Sequence, residues 1–190
     1  MTANEPGGRQ PAPGALRLVQ AFVNTRDIEG GADALATPEA ISRWLRGVGL
    51  AKRGTNGDAV GLGAAIELRE ALRSLLLANS GGSVDVNAWT VCDDAARAAR
   101  FDLRFSSVTQ KPELEPQAPG TAGSLGAIVA IVAMAMHDGS WYRLKVCRRE
   151  ACRWAFYDHS NAQSSVWCSM AICGNRTKAR RHRQRTKGGR

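Results

Sequence analysis

The chain has 190 residues, 44% of them hydrophobic, and a net charge of +9. This is enough for one domain, or one ordinary domain with a small appendage, and for a real core. There is no apolar run of the roughly 20 residues needed to span a bilayer. The opening MTANEPGGRQPAPG has no apolar signal stretch, so a cytoplasmic protein with no membrane partner is expected.

The positive charge is concentrated at one end. Residues 143–190 carry 13 Lys/Arg against 2 Asp/Glu, whereas residues 1–142 carry 13 against 15. That asymmetry points to a polyanionic partner for the last quarter of the chain.

Residues 1–13, rich in Pro and Gly, predict a disordered lead. In residues 14–27, Leu16, Val19, Phe22 and Val23 recur at helical spacing, and Asn24-Thr25 offers a polar pair to a pocket. Thr37-Pro38-Glu39 is a helix start: a capping hydroxyl, proline at the first helical position, an acid in the first turn. Ile41, Trp44 and Leu45 form its buried face. A Gly/Asn/Asp loop over 53–58 leads into the longest predicted helix, about 59–79. Its apolar side holds Leu62, Ile66, Ala71, Leu72, Leu75 and Leu76, and Glu67, Arg69, Glu70 and Arg73 are assigned to the opposite side. Ser80-Gly81-Gly82-Ser83 is a turn. Ser83 is expected to cap a further helix to about 100, with Val86, Trp89 and Cys92 lining one side. Cys92, with no cysteine neighbour, reads as a small buried hydrophobe.

Residues 101–105 alternate apolar and polar, and the proline-containing stretch 111–122 completes an irregular hairpin. Residues 122–137 predict a central buried helix, too short to span a membrane. Residues 141–146 alternate again, as do 153–157, so Cys147 and Cys152 sit at the tip of a short hairpin.

Four cysteines form two C-x4-C pairs, Cys147/Cys152 and Cys168/Cys173, with 15 residues between the pairs. A structural zinc takes four tetrahedral ligands, and soft thiolates suit it. Two pairs on two turns let one ion clamp two elements. Paired redox dithiols are the main rival, but two symmetric pairs fit a metal better. The segment from Trp141 onward has few apolar groups (Trp141, Leu144, Val146, Trp154, Phe156 and Trp167), and a fold this small needs a staple. The expected metal ligands are therefore Cys147, Cys152, Cys168 and Cys173, and the expected cofactor is Zn2+.

Beyond Cys173 the chain runs GNRTKARRHRQR. Asn175 is a candidate cap for a helix that is basic all round. Arg176, Arg180 and Arg183 share one face; Lys178, Arg181 and Arg185 share another. No face of it suits an apolar core, and its like charges repel unless a polyanion neutralises them. Arginine forks match phosphate and read guanine edges. Asn175, Arg176, Lys178, Arg180, Arg181, Arg183 and Arg185 are the candidate nucleic-acid contacts.

The run CRREACRWAFYD, followed by WCSMAICGNR and its basic tail, resembles the bacterial CGNR-type zinc finger proteins over about 140–186. Phe22-Val23-Asn24-Thr25 and TPEAISRWL at 37–45 resemble the start of the helical stress-induced-transcription-regulator-type (ABATE) domain that precedes this finger. The resemblance implies zinc on the four cysteines and DNA binding by a bacterial regulator. The linker 159–166 is less basic than the family's usual version, which shifts phosphate contacts onto the terminal helix.

The expected fold is therefore mainly α. A helical regulatory domain over 14–139, with a small β-hairpin, is followed over 140–190 by a treble-clef-like zinc finger of β-hairpin and basic helix. The expected function is DNA-binding transcriptional regulation, with double-stranded DNA, a small-molecule effector in the helical domain and a second copy of the chain as partners. The alternative is an RNA-binding zinc finger protein, with Trp154 or Tyr157 stacking on unpaired bases. The helical domain shows no paired carboxylates, no nucleophile beside a histidine and no glycine-rich phosphate loop, so an enzyme is not expected.

Overall fold

The computed structural model describes residues 6–51, 57–83 and 85–187, apart from the side chains of Arg181, His182, Arg185 and Lys187. Most of the loop expected over 53–58 falls outside this range. Helix α1 is Leu16–Val23, and Leu16, Val19, Phe22 and Val23 are buried as their spacing predicts. Helix α2, Pro38–Gly47, starts at the expected cap: Thr37 Oγ1 accepts the Ala40 N–H at 3.2 Å. Helix α3, Ala59–Asn79, is capped by Asp58, which accepts from the Gly61 N–H at 2.6 Å. Its residues Leu68, Leu72, Leu75 and Leu76 are the centre of the core.

Helix α4, Asn87–Ala99, begins four residues later than the expected Ser83 cap. Asp85 sets the start instead, its carboxylate accepting the Asn87 N–H at 3.0 Å. Val86 and Trp89 point outward rather than lining a packed side, and Ala88 and Ala99 are buried in their place. The cause is close packing against helix α5, Gly120–His137. A Cβ on Gly126 would stand 2.3 Å from that of Ala99, so only small residues fit the crossing. Cys92 is half-buried against the core, and burial pushes its thiol up to about 11, which keeps it unreactive.

The expected irregular hairpin is a regular antiparallel ladder. Strand β1, Phe101–Ser106, pairs with β2, Lys111–Pro116, from Phe101↔Pro116 to Ser106↔Lys111. Prolines are tolerated there because each strand of a two-stranded ribbon has a free edge. Leu103 and Phe105 stay exposed on it.

Helix α5 begins two residues earlier than expected and reaches 18 residues. That makes it long and apolar enough to cross a membrane by length and composition, contrary to the shorter helix read from sequence. In this fold it packs on α1, α3, α4 and β2, burying Leu125, Ile128, Val132 and Ala135.

A 3-10 turn over Ser140–Arg143 leads to strand β3, Leu144–Val146, which pairs antiparallel with β4, Ala155–Tyr157. Strands of three residues are marginal alone. Here Leu144, Val146, Ala155 and Tyr157 belong to the same buried cluster as α1, α3 and α5. Both outer edges are closed by side chains of the helical part. Ser80 Oγ donates to the Val146 carbonyl at 2.6 Å and accepts its N–H at 3.2 Å, and Asn79 Nδ2 donates to the carbonyls of Trp141 and Leu144 at 2.9 Å. On β4, the Asn24 amide donates to the Ala155 carbonyl at 2.9 Å and accepts its N–H at 2.7 Å. Rather than offering itself to a pocket, Asn24 acts as a substitute strand neighbour.

Arg69 and Arg73, assigned from sequence to an outward face of α3, are buried. Arg69 grips Asp33 through two bonds of 2.7 and 3.0 Å. Arg73 donates to the carbonyls of Val23 at 2.6 Å and Arg153 at 2.9 Å, and pairs with Glu70. Arg73 reaches backbone carbonyls and Arg69 reaches carboxylates, so each buried charge has the partners that offset its desolvation.

The chain ends with a π-helical turn, Met170–Gly174, running into helix α6, Asn175–Lys187. The cap is Ser169, whose hydroxyl accepts the Ile172 N–H at 3.3 Å. Asn175, expected to be the cap, already lies inside the helical run.

Candidate metal centre and nucleic-acid interface

The hairpin turn between β3 and β4 presents Cys147 and Cys152, and the segment entering α6 presents Cys168 and Cys173. The four sulfurs lie within 4.8 Å of one another. Cys168 Sγ is 3.6 Å from both Cys152 Sγ and Cys173 Sγ, and all four thiols are free. A tetrahedron with metal–sulfur bonds of about 2.3 Å has sulfurs about 3.8 Å apart, so the cluster has the size of a tetrathiolate metal site.

The donor chemistry agrees. Hydrogen bonds from Cys152 and then Cys168 hold the Cys147 thiol well below its ordinary value, while the Cys147 contact pushes Cys152 and Cys168 above theirs. One thiolate thus opposes the next, and a divalent cation among the four removes that opposition. The backbone amides of Cys168 and Arg149 lower the Cys147 thiol and that of Trp154 lowers Cys152, the influence that N–H groups around thiolate ligands exert. Phe156 is buried among the cysteines, and Trp154 and Trp167 cover them.

The polar loop after β4 is organised by Asp158. Its buried carboxylate accepts from Lys145 Nζ at 2.9 Å, the Ser165 N–H at 2.9 Å and Ser160 Oγ at 2.7 Å. Burial raises the acid, but these donors outweigh it and hold it well below the usual carboxylate range. The loop is a structural spacer that sets the second cysteine pair.

Arg9, within the expected disordered lead, is anchored on the finger. It donates to the carbonyls of Cys168 at 2.9 Å, Trp167 at 3.2 Å and Tyr157 at 3.4 Å, and lies 4.7 Å over the Phe156 ring. From Arg9 onward the lead therefore packs on the finger, and Ala12 is buried in the main core. An arginine inside a Pro/Gly-rich stretch gives no local sign of such a role.

Between the tip of the first cysteine turn and α6 lies a cleft of about 990 Å3 lined by Arg148, Arg149, Arg176, Arg180 and Arg183. The face predicted from sequence, Arg176/Arg180/Arg183, is the one turned into it. Asn175 and Lys178 are exposed outside it. The side chains of Arg181 and Arg185 lie outside the described residues. Arg148 and Arg149, absent from the sequence-derived contact set, join the cleft because the turn folds back toward α6. A second cavity of about 490 Å3 lies between α3, α4 and the start of α5, walled by Val91, Ala95 and Leu125 and edged by Asp58, Glu67 and Asp94.

Residues 143–186 match the CGNR zinc finger family. Residues 16–138 match ABATE, described as "Putative stress-induced transcription regulator". These are families of regulator and zinc-finger type rather than enzymes. No curated protein matches the chain. With that match covering well over half its length, the chain belongs to the ABATE family and carries a CGNR zinc finger behind the ABATE domain.

Proposed function

We propose that the protein is a DNA-binding transcriptional regulator acting in the cytoplasm. Cys147, Cys152, Cys168 and Cys173 hold one Zn2+, and Asn175, Arg176, Lys178, Arg180, Arg181, Arg183 and Arg185 contact duplex DNA. The zinc supplies no chemistry beyond its four bonds. It keeps the arginine-bearing helix at a set distance from the first cysteine turn. The observation that carries this reading is the cleft lined by Arg148, Arg149, Arg176, Arg180 and Arg183. Five guanidinium groups converging from two elements make a seat for phosphates.

Residues 14–139 form the regulatory part and 140–190 the contacting part. A small effector fits the cavity between α3, α4 and α5, whose acidic rim and apolar walls favour an organic cation. A second copy of the chain would cover the apolar face of β1–β2 that leaves Leu103 and Phe105 exposed. Sedimentation showing only monomer at micromolar concentration would remove that part.

Fluorescence anisotropy with duplex DNA over a salt series tests the main reading. Engagement of the five cleft arginines alone gives a slope of log K against log salt of about −4 to −5, and the remaining basic contacts on α6 would steepen it. Binding that ignores salt, or no binding by zinc-loaded protein, would sink it. Single-stranded RNA serves as competitor. Tyr157 is buried and Trp154 is packed on the cysteine cluster, so neither is presented for stacking, and duplex DNA should win.

A further inference from the structure

Glu29 sits at the tip of a tight turn after α1. The turn is closed by the Asp27 N–H to the Ala32 carbonyl and the Gly31 N–H to the Asp27 carbonyl, both at 2.8 Å. Its stem ends at Asp33, the residue gripped by buried Arg69. The helical part therefore holds this tip firmly, and it reaches across to the finger. The Glu29 carboxylate accepts two hydrogen bonds from Arg149, at 2.6 and 2.9 Å, and one from Arg176 at 2.8 Å. Arg149 comes from the first cysteine turn and Arg176 from the first turn of α6, the two walls of the arginine cleft.

Two guanidinium groups from separate elements, converging on one anionic group through charge-assisted bonds, make the geometry of a phosphate seat. A carboxylate and a phosphodiester use the same donors, so both cannot hold them together.

We propose that Arg149 and Arg176 form a phosphodiester subsite of the nucleic-acid interface, and that Glu29 occupies it in the free protein as an internal competitor. This rests on the reading of the cleft as a nucleic-acid interface. It pairs Arg149 with Arg176 on one phosphate and makes the regulatory part a direct brake on the finger, because whatever moves the 27–33 turn changes the number of free seats. A competitor that fills the seat for all but about a tenth of the time weakens apparent binding about tenfold.

The test compares full-length zinc-loaded wild type, Glu29→Gln and Glu150→Gln for affinity to a labelled mixed-sequence duplex at about 50 and 200 mM salt. Glu150 lines the same cleft but lies outside the Arg149–Arg176 clamp, so its variant reports the general effect of removing one negative charge. The expected result is binding about 5- to 10-fold tighter for Glu29→Gln and at most about twofold tighter for Glu150→Gln, a rim-charge effect. Glu29→Asp, which keeps the charge on a shorter stem, should lie between Glu29→Gln and wild type. Weaker or unchanged binding by Glu29→Gln, or a gain no larger than that of Glu150→Gln, would show that Glu29 only positions the two arginines and would overturn the proposal alone. No duplex binding by any of the proteins would overturn it together with the nucleic-acid reading.

Discussion

The two halves of the finger are held by different physics. The first half, β3–β4 with Cys147 and Cys152, is part of the main core: Leu144, Val146, Ala155 and Tyr157 are buried with the helices, and Asn24, Asn79 and Ser80 close its edges. The second half, Cys168, Cys173 and α6, has almost no apolar surface of its own. It hangs on the cysteine cluster, on Arg9 and on the Glu29 clamp. The hairpin is thus an extension of the helical part, and α6 is the element whose position would depend on a metal held by the four cysteines. A finger built this way can present its basic helix without a separate hydrophobic core.

The largest effect should come from Cys168→Ser. Metal content by elemental analysis should fall from one ion per chain to none, because a site missing one thiolate loses most of its affinity. Hydrogen exchange should then rise through Met170–Gly174 and α6 while β3–β4 stays protected. Loss of protection in β3–β4 as well would make the finger a single metal-dependent unit. Next comes Arg69→Ala. Breaking a buried ion pair costs about 3–5 kcal/mol, so denaturant unfolding should show the whole regulatory part weakened with the metal retained. A smaller effect is expected from Asn24→Ala, which leaves the buried Ala155 N–H without its partner and its carbonyl with only the 3.3 Å bond from Gln20. About 1–3 kcal/mol should be lost, with exchange rising first along β4. The smallest effect is that of Arg183→Ala. Stability should be unchanged and the salt slope of duplex binding should fall by about one. A larger loss of binding would give Arg183 a role beyond phosphate contact.

The same contrast explains what could be read from sequence. Helix positions, the α2 cap and the cysteine pairing follow from local rules, since periodicity and ligand spacing are written in neighbouring residues. The arginine face of α6 was legible for the same reason. Arg69 and Arg73 were not, because a charge on an amphipathic helix reads as solvent-facing unless its partner is known, and Asp33 lies 36 residues away. Arg9, Asn24 and Glu29 act on residues more than 100 positions distant. Their roles arise only when the hairpin docks on the helices. The cap of α6 moved to Ser169 because the chain is already helical at Met170, passing through a π-turn that places Cys173 in the cluster.

In the proposed function a metal held by the four cysteines sets the arginine helix for duplex binding. Native mass spectrometry of the protein with a duplex, before and after chelator treatment, puts this to the test. A protein–duplex complex carrying one zinc ion per chain should form, be lost when the zinc is stripped and be restored when it is returned. A metal-free chain that binds the duplex as well as the loaded one would contradict it.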